Sequence, residues 1–218
     1  MTEKGRKAIK SLMKKNNISI FSLTGDCFMQ EPFYKNIGRI KENLLNDLKN
    51  IIFSCGKLKI RYIVFPLVDN GKIENDLQEK NLKNGLLSIE SLLKKTNVKI
   101  CFESDFIPVE LGNFIDQYKT EHFGINYDIG NSASLDYNID EEISTYGHRI
   151  MNVHVKDRQI HGTTVPLGDG NADFPTVFQA LKISGYKGNY ILQTARAGND
   201  DHVGVLIKYR SQVCKWII

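Results

Sequence analysis

The 218 residues, 41% apolar and 25% charged, are enough for one domain that buries about 70% of its unfolded surface. Lys and Arg exceed Asp and Glu by only four (29 against 25), with no block of like charge, so nothing in the balance asks for nucleic acid as a partner. No apolar run approaches the roughly 20 residues that cross a bilayer, and the charged stretch from Met1 to Lys7 lacks the apolar core of a secretory leader, so a cytoplasmic protein without membrane contact is expected.

In chain order, Met1 to Asn16 has the pattern of an amphipathic helix ahead of a first strand at Ile18–Leu23. Helical periodicity over 36–55 leads to a second strand, Tyr62–Pro66. Over 76–96, Leu82, Leu86, Leu87, Ile89, Leu92 and Leu93 form an apolar stripe with Lys and Glu outside it, which predicts one long helix before the strand Val98–Phe102. Periodic segments at 109–119, 138–148, 174–184 and about 200–216 alternate with strands at Ile125–Ile129, Met151–Val155 and Tyr190–Leu192. Trp216 is expected to pack the last helix onto the rest. Strands alternating with helices at this spacing are parallel β/α units. With no linker or composition break, residues 1–218 read as a single domain. Cys27, Cys55, Cys101 and Cys214 are far apart, form no CxxC pair and read as buried thiols.

Several strands end in groups that do not belong in an apolar core. Phe102 gives way to Glu103, Tyr127 to Asp128 and Val153 to His154. Ligands of parallel β/α proteins bind at the C-terminal ends of strands, and an unpaired buried carboxylate is costly. Neighbouring strands lie about 4.8 Å apart, so side chains at matched heights can converge on one cation. Two carboxylates and an imidazole suit Mn²⁺, Mg²⁺, Co²⁺ or Zn²⁺, which would polarise a substrate carbonyl and stabilise an ene-diolate. The plainer alternative pairs Glu103 with a Lys or Arg and hydrogen-bonds Asp128 to His154.

The segments Cys101-Phe-Glu-Ser-Asp-Phe106, Tyr127-Asp-Ile-Gly-Asn131, Asn152-Val-His-Val-Lys-Asp-Arg158 and Val165-Pro-Leu-Gly-Asp-Gly170 resemble successive motifs of the sugar phosphate isomerase/epimerase family, which belongs to the xylose-isomerase-like TIM barrels. Phe174-Pro-Thr-Val-Phe178 and Leu181 through Gly188 resemble its last crossover helix and turn, and Ser22-Leu-Thr-Gly-Asp-Cys-Phe-Met29 its third strand and following loop. The resemblance implies a divalent metal held by a Glu, an Asp, a His and a second Glu on the last four strands, with the two Glu residues moving a proton next to the substrate carbonyl. Glu103, Asp128 and His154 match the first three; the fourth position is Gln193. Lys156 and Arg158 resemble residues that grip a sugar or its phosphate, Arg196 is a further candidate, and Asp26 either reaches the site or makes an Asx-turn beside Gly25.

Two departures bear on activity. Gln193 can offer an oxygen but takes no proton at neutral pH, so both metal affinity and a two-base epimerisation should suffer. The metal is then weakly held or absent, and the chain is either a metal-assisted isomerase/epimerase or an impaired relative that binds a sugar phosphate or a protein partner. Six strands are recognisable instead of eight, which implies an incomplete (β/α) TIM-type barrel without the first strand-helix-strand. Its open edge could be covered by a homodimer. A nuclease of the endonuclease IV kind, sharing the barrel, would need many His ligands; only His154 sits at a strand end, and Asn131 stands where His would be expected. Gly168-Asp-Gly170 reads as a tight turn and His161 as a solvated loop residue.

Overall fold

The computed structural model describes residues 1–217. The elements run α1 (Glu3–Lys15), β1 (Ser22–Thr24), α2 (Asp26–Gln30), α3 (Gly38–Leu58), β2 (Tyr62–Leu67), α4 (Asp76–Leu87) and α5 (Glu90–Thr96). They continue with β3 (Lys99–Ser104), α6 (Pro108–Ile115), β4 (Phe123–Asp128), α7 (Ile129–Ser134), α8 (Ile139–Tyr146) and β5 (Ile150–Val155). After β5 come β6 (Asp157–Arg158), β7 (Thr164–Val165), α9 (Phe174–Ile183), β8 (Asn189–Leu192) and α10 (His202–Trp216). Six parallel strands follow the order β1-β2-β3-β4-β5-β8, the arrangement of an incomplete (β/α) barrel. No helix among the described residues is long and apolar enough to cross a membrane.

Internal packing divides the chain into two units. The first holds residues 1–104 and 119–124. Aromatic rings form its core: Phe28 stacks on Phe65 at 5.0 Å, Phe65 meets Phe102 edge-on at 6.2 Å, and Phe102 stacks on Phe123 at 6.1 Å. Leu48 and Ile52 from α3 and Leu82 and Leu86 from α4 complete it. A Cβ at Gly85 would come within 2.3 Å of the Phe33 ring, so only glycine lets α4 approach this closely.

The single helix expected over 76–96 is two. The first helix ends at Ser88, whose hydroxyl donates to the Gly85 carbonyl at 2.6 Å, a local bond that competes with the helical ladder. Leu82, Leu86, Ile89 and Leu93 remain buried, so the apolar stripe survives the break. The first strand starts at Ser22 instead of Ile18, and Ile18 and Phe21 are exposed. Of the four cysteines only Cys55 and Cys101 are buried; Cys27 and Cys214 lie on helices with their side chains exposed, which corrects the expectation of four buried thiols.

The second unit comprises 105–118 and the described chain from Ile125 onward. Trp216 stacks on Phe174 at 4.6 Å and leans on Phe178 at 5.8 Å, fastening α10 to α9 as expected. Phe178 in turn meets Tyr190 of β8 at 5.0 Å. Sequence periodicity gave no sign of the antiparallel pair β6–β7, because two-residue strands carry none.

Candidate metal centre

Asp128 is the last residue of β4 and the cap of α7. Its Oδ1 accepts from the Asn131 amide at 2.9 Å, the ordinary role of Asp at a helix N-terminus, and that bond fixes the direction of the carboxylate. His154 is its register partner on β5, so the two side chains leave the sheet at the same height. His154 Nδ1 lies 3.8 Å from Asp128 Oδ2, beyond hydrogen-bond length, so the simple Asp–His hydrogen bond considered as the plainer alternative is not made.

Glu103, Asp128 and His154 are all buried, and each offers one ligand atom that lies within 4.8 Å of those of the others. A candidate metal site therefore exists. Two carboxylate oxygens and an imidazole nitrogen, without thiolate, form a donor set for a hard or borderline divalent cation.

Lys156 follows β5 and turns its ammonium inward, 2.8 Å from Asp128 Oδ2. Burial alone would push the Asp128 carboxyl up, but His154 and Lys156 beside it outweigh this and hold it below the ordinary carboxylate range. Arg158 is engaged within the chain as well. Its Nη1 donates to Asn131 Oδ1 at 2.9 Å, and its Nε and Nη2 donate to the Gly162 carbonyl at 3.1 and 2.7 Å. The two basic groups read from the sequence as substrate grips thus brace the ligand strand and the loop after it.

The other expected residues, Gln193, Arg196 and Asp26, are exposed. Gln193 continues the ladder past β8 through its amide, which donates to the Val155 carbonyl at 3.1 Å, and its side chain is exposed. It lies two residues beyond Ile191, the register partner of His154. Arg196 is exposed in the segment that follows, and Asp26 is exposed at the start of α2.

Two buried carboxylates escaped the sequence reading. Asp157, fully buried, accepts from the amides of Gly168 at 2.8 Å, Gly170 at 3.0 Å and Ala172 at 3.1 Å. The Gly168-Asp-Gly170 turn is therefore wrapped around a carboxylate, and a Cβ at Gly170 would sit 2.2 Å from Asp157 Oδ1. Glu142 is the other. It accepts from the hydroxyls of Tyr127 at 2.8 Å, Ser132 at 2.6 Å and Tyr146 at 2.7 Å. Burial pushes its carboxyl up despite these donors. The only available signal for Asp157 was its place beside a basic pair and ahead of a Gly-x-Gly turn; for Glu142, within Asp140-Glu-Glu142, there was none.

Residues 1–208 match the family described as xylose isomerase-like TIM barrel. L-ribulose-5-phosphate 3-epimerase UlaE of Shigella flexneri serotype 5b is 33% identical over 97 residues, covering 44% of this chain and 32% of that protein. The UlaE protein of Shigella boydii is 27% identical over 147 residues, covering 64% and 51%. The chain thus matches about a third to a half of the length of these relatives. Among solved structures, a xylose isomerase domain protein from Planctomyces limnophilus superposes with a TM-score of 0.79 at 13% identity, over 99% of this chain and 83% of that one. A xylose isomerase-like TIM barrel protein from Mycobacterium smegmatis, solved in complex with magnesium, gives 0.73 at 12% identity, over 100% and 79%.

Proposed function

This chain belongs to the xylose isomerase-like TIM barrel family, and from that premise we propose that it acts on a ketose or its phosphate by metal-assisted proton transfer at the carbon next to the carbonyl. The observation that carries the reading is the burial of Glu103, Asp128 and His154 with ligand atoms within 4.8 Å of one another. A divalent cation held there would supply Lewis-acid polarisation of the carbonyl. The residues supply the rest. Asp128, fixed by the Asn131 amide and balanced by Lys156, and His154 at the same height would hold the cation. Glu103 takes the proton from the substrate carbon.

Gln193 decides which reaction is open. Inverting a stereocentre requires proton removal on one face and return on the other, whereas moving a carbonyl between neighbouring carbons needs one base on one face. A neutral amide cannot serve as the second base. The reading therefore favours isomerisation, or proton exchange without inversion, over epimerisation.

The test is incubation of the full chain with Mn²⁺ and L-ribulose 5-phosphate, and with other ketose phosphates, in D₂O. Deuterium should appear next to the carbonyl by NMR, and Glu103→Gln should slow its appearance by about 10²- to 10⁴-fold. No exchange with any substrate at saturating Mn²⁺ would overturn the enzyme reading. The second reading, a non-catalytic relative that binds a sugar phosphate or a protein, is favoured by the neutral, exposed Gln193. It would then stand if the same ketose phosphates still bound.

A further inference from the structure

We propose that Glu142 is the positioning residue for Asp128, setting the direction of that ligand from the far side of the sheet; the inference rests on the metal-centre reading above. Tyr127 and Asp128 are successive strand residues and point to opposite faces, so whatever grips Tyr127 acts on Asp128 from behind. The Tyr127 hydroxyl donates to Glu142 Oε2 at 2.8 Å. On the other side of Asp128, the Ser132 hydroxyl in α7 donates to the same oxygen at 2.6 Å, and the two hydroxyls lie 3.3 Å apart. One carboxylate oxygen therefore ties the residue before Asp128 to the helical turn after it. Between these ties runs the stretch whose Asn131 amide holds Asp128 Oδ1 at 2.9 Å.

Glu142 is 1% exposed, so water cannot take over these bonds when the carboxylate is removed. Partners that orient a metal ligand act in this way, and losing one typically lowers metal affinity about 10- to 100-fold. The cluster also contains its own control. Tyr146 donates to the other oxygen, Oε1, at 2.7 Å, but lies on α8 four residues from Glu142. It bonds the same carboxylate while holding neither β4 nor α7.

The experiment compares Glu142→Gln, Tyr127→Phe, Ser132→Ala and Tyr146→Phe in the full chain by two readouts. These are Mn²⁺ affinity by calorimetry and hydrogen exchange of the Asn131 amide in the metal-free protein. The first three substitutions are expected to weaken Mn²⁺ binding, Glu142→Gln by roughly 10- to 100-fold, and to speed Asn131 exchange. Tyr146→Phe should lower the melting temperature while leaving both readouts at wild-type values. Should Glu142→Gln fail to fold, the two hydroxyl deletions beside Asp128 carry the comparison. Unchanged affinity and exchange in Tyr127→Phe and Ser132→Ala, or an equal change in Tyr146→Phe, would overturn the proposal. If wild type itself binds no Mn²⁺, the metal reading falls, and Asn131 exchange still decides whether Glu142 positions Asp128.

Discussion

The ends of β4 and β5 and the end of β8 lie in one register, Asp128 beside His154 and His154 beside Ile191, yet they are built in opposite ways. At β4 and β5 every polar group described is buried or braced. Asp128 takes the Asn131 amide and faces the Lys156 ammonium, Asp157 gathers three amides, and Arg158 spans Asn131 and Gly162. At β8 the ladder stops with the Gln193 amide, and an exposed segment carrying Arg196 follows. Groups that satisfy one another in a dry network cannot be exchanged singly without leaving a partner unmet. An exposed side chain at a strand end has no such constraint, and Gln193, the position at which the proposed ligand set departs from a second Glu, falls there.

The sharpest way to break this contrast is Asp128→Ala. Lys156, its side chain only 12% exposed, would lose the carboxylate 2.8 Å from its ammonium. Removing one member of a buried pair costs about 3–5 kcal/mol, so urea unfolding should show a loss of that order together with loss of Mn²⁺ binding. A loss below about 1 kcal/mol would mean the β4–β5 end is as permissive as an exposed surface.

Asp157→Ala should come next. Three amides of the 168–172 loop would lose a charged acceptor, but the loop is near enough to the surface for some to find water, so about 2–3 kcal/mol is expected. Hydrogen exchange at Gly168, Gly170 and Ala172 should accelerate together. Wild-type protection at all three would show that the turn stands without the carboxylate.

What was legible in the sequence divides along the same line. All six strands were readable from apolar runs, and Glu103, Asp128 and His154 stood out because each breaks such a run at its C-terminal end. The start of β1 was misplaced because an apolar residue on an exposed approach, Ile18 or Phe21, resembles one in a strand. The break in the 76–96 helix, where the Ser88 hydroxyl bonds the Gly85 carbonyl, is invisible to a pattern that both helices share. Asp157 and Glu142 were missed for a different reason. An acidic residue among polar neighbours reads as solvated, and only tertiary packing supplies the amides and hydroxyls that make burial tolerable. Lys156 and Arg158 were noticed as basic groups near a strand end, but their partners within the chain could not be read from spacing.

Gln193→Glu produces the smallest effect and bears most directly on the contrast. On an exposed side chain the substitution should change stability by no more than about 0.5 kcal/mol, since it breaks no described bond and buries no charge. Its effect on metal binding depends on reach. If the β8 end closes on the cluster when a cation binds, the added carboxylate becomes a fourth ligand, and the gain in ligand charge should tighten Mn²⁺ binding by about tenfold, roughly 1.4 kcal/mol. A second base would then be available, and inversion at the exchanging carbon should appear where wild type shows exchange alone. If calorimetry finds equal affinity in the two proteins, β8 contributes no ligand. The centre is then the three-residue cluster of Glu103, Asp128 and His154, and Gln193 reflects freedom at an exposed strand end.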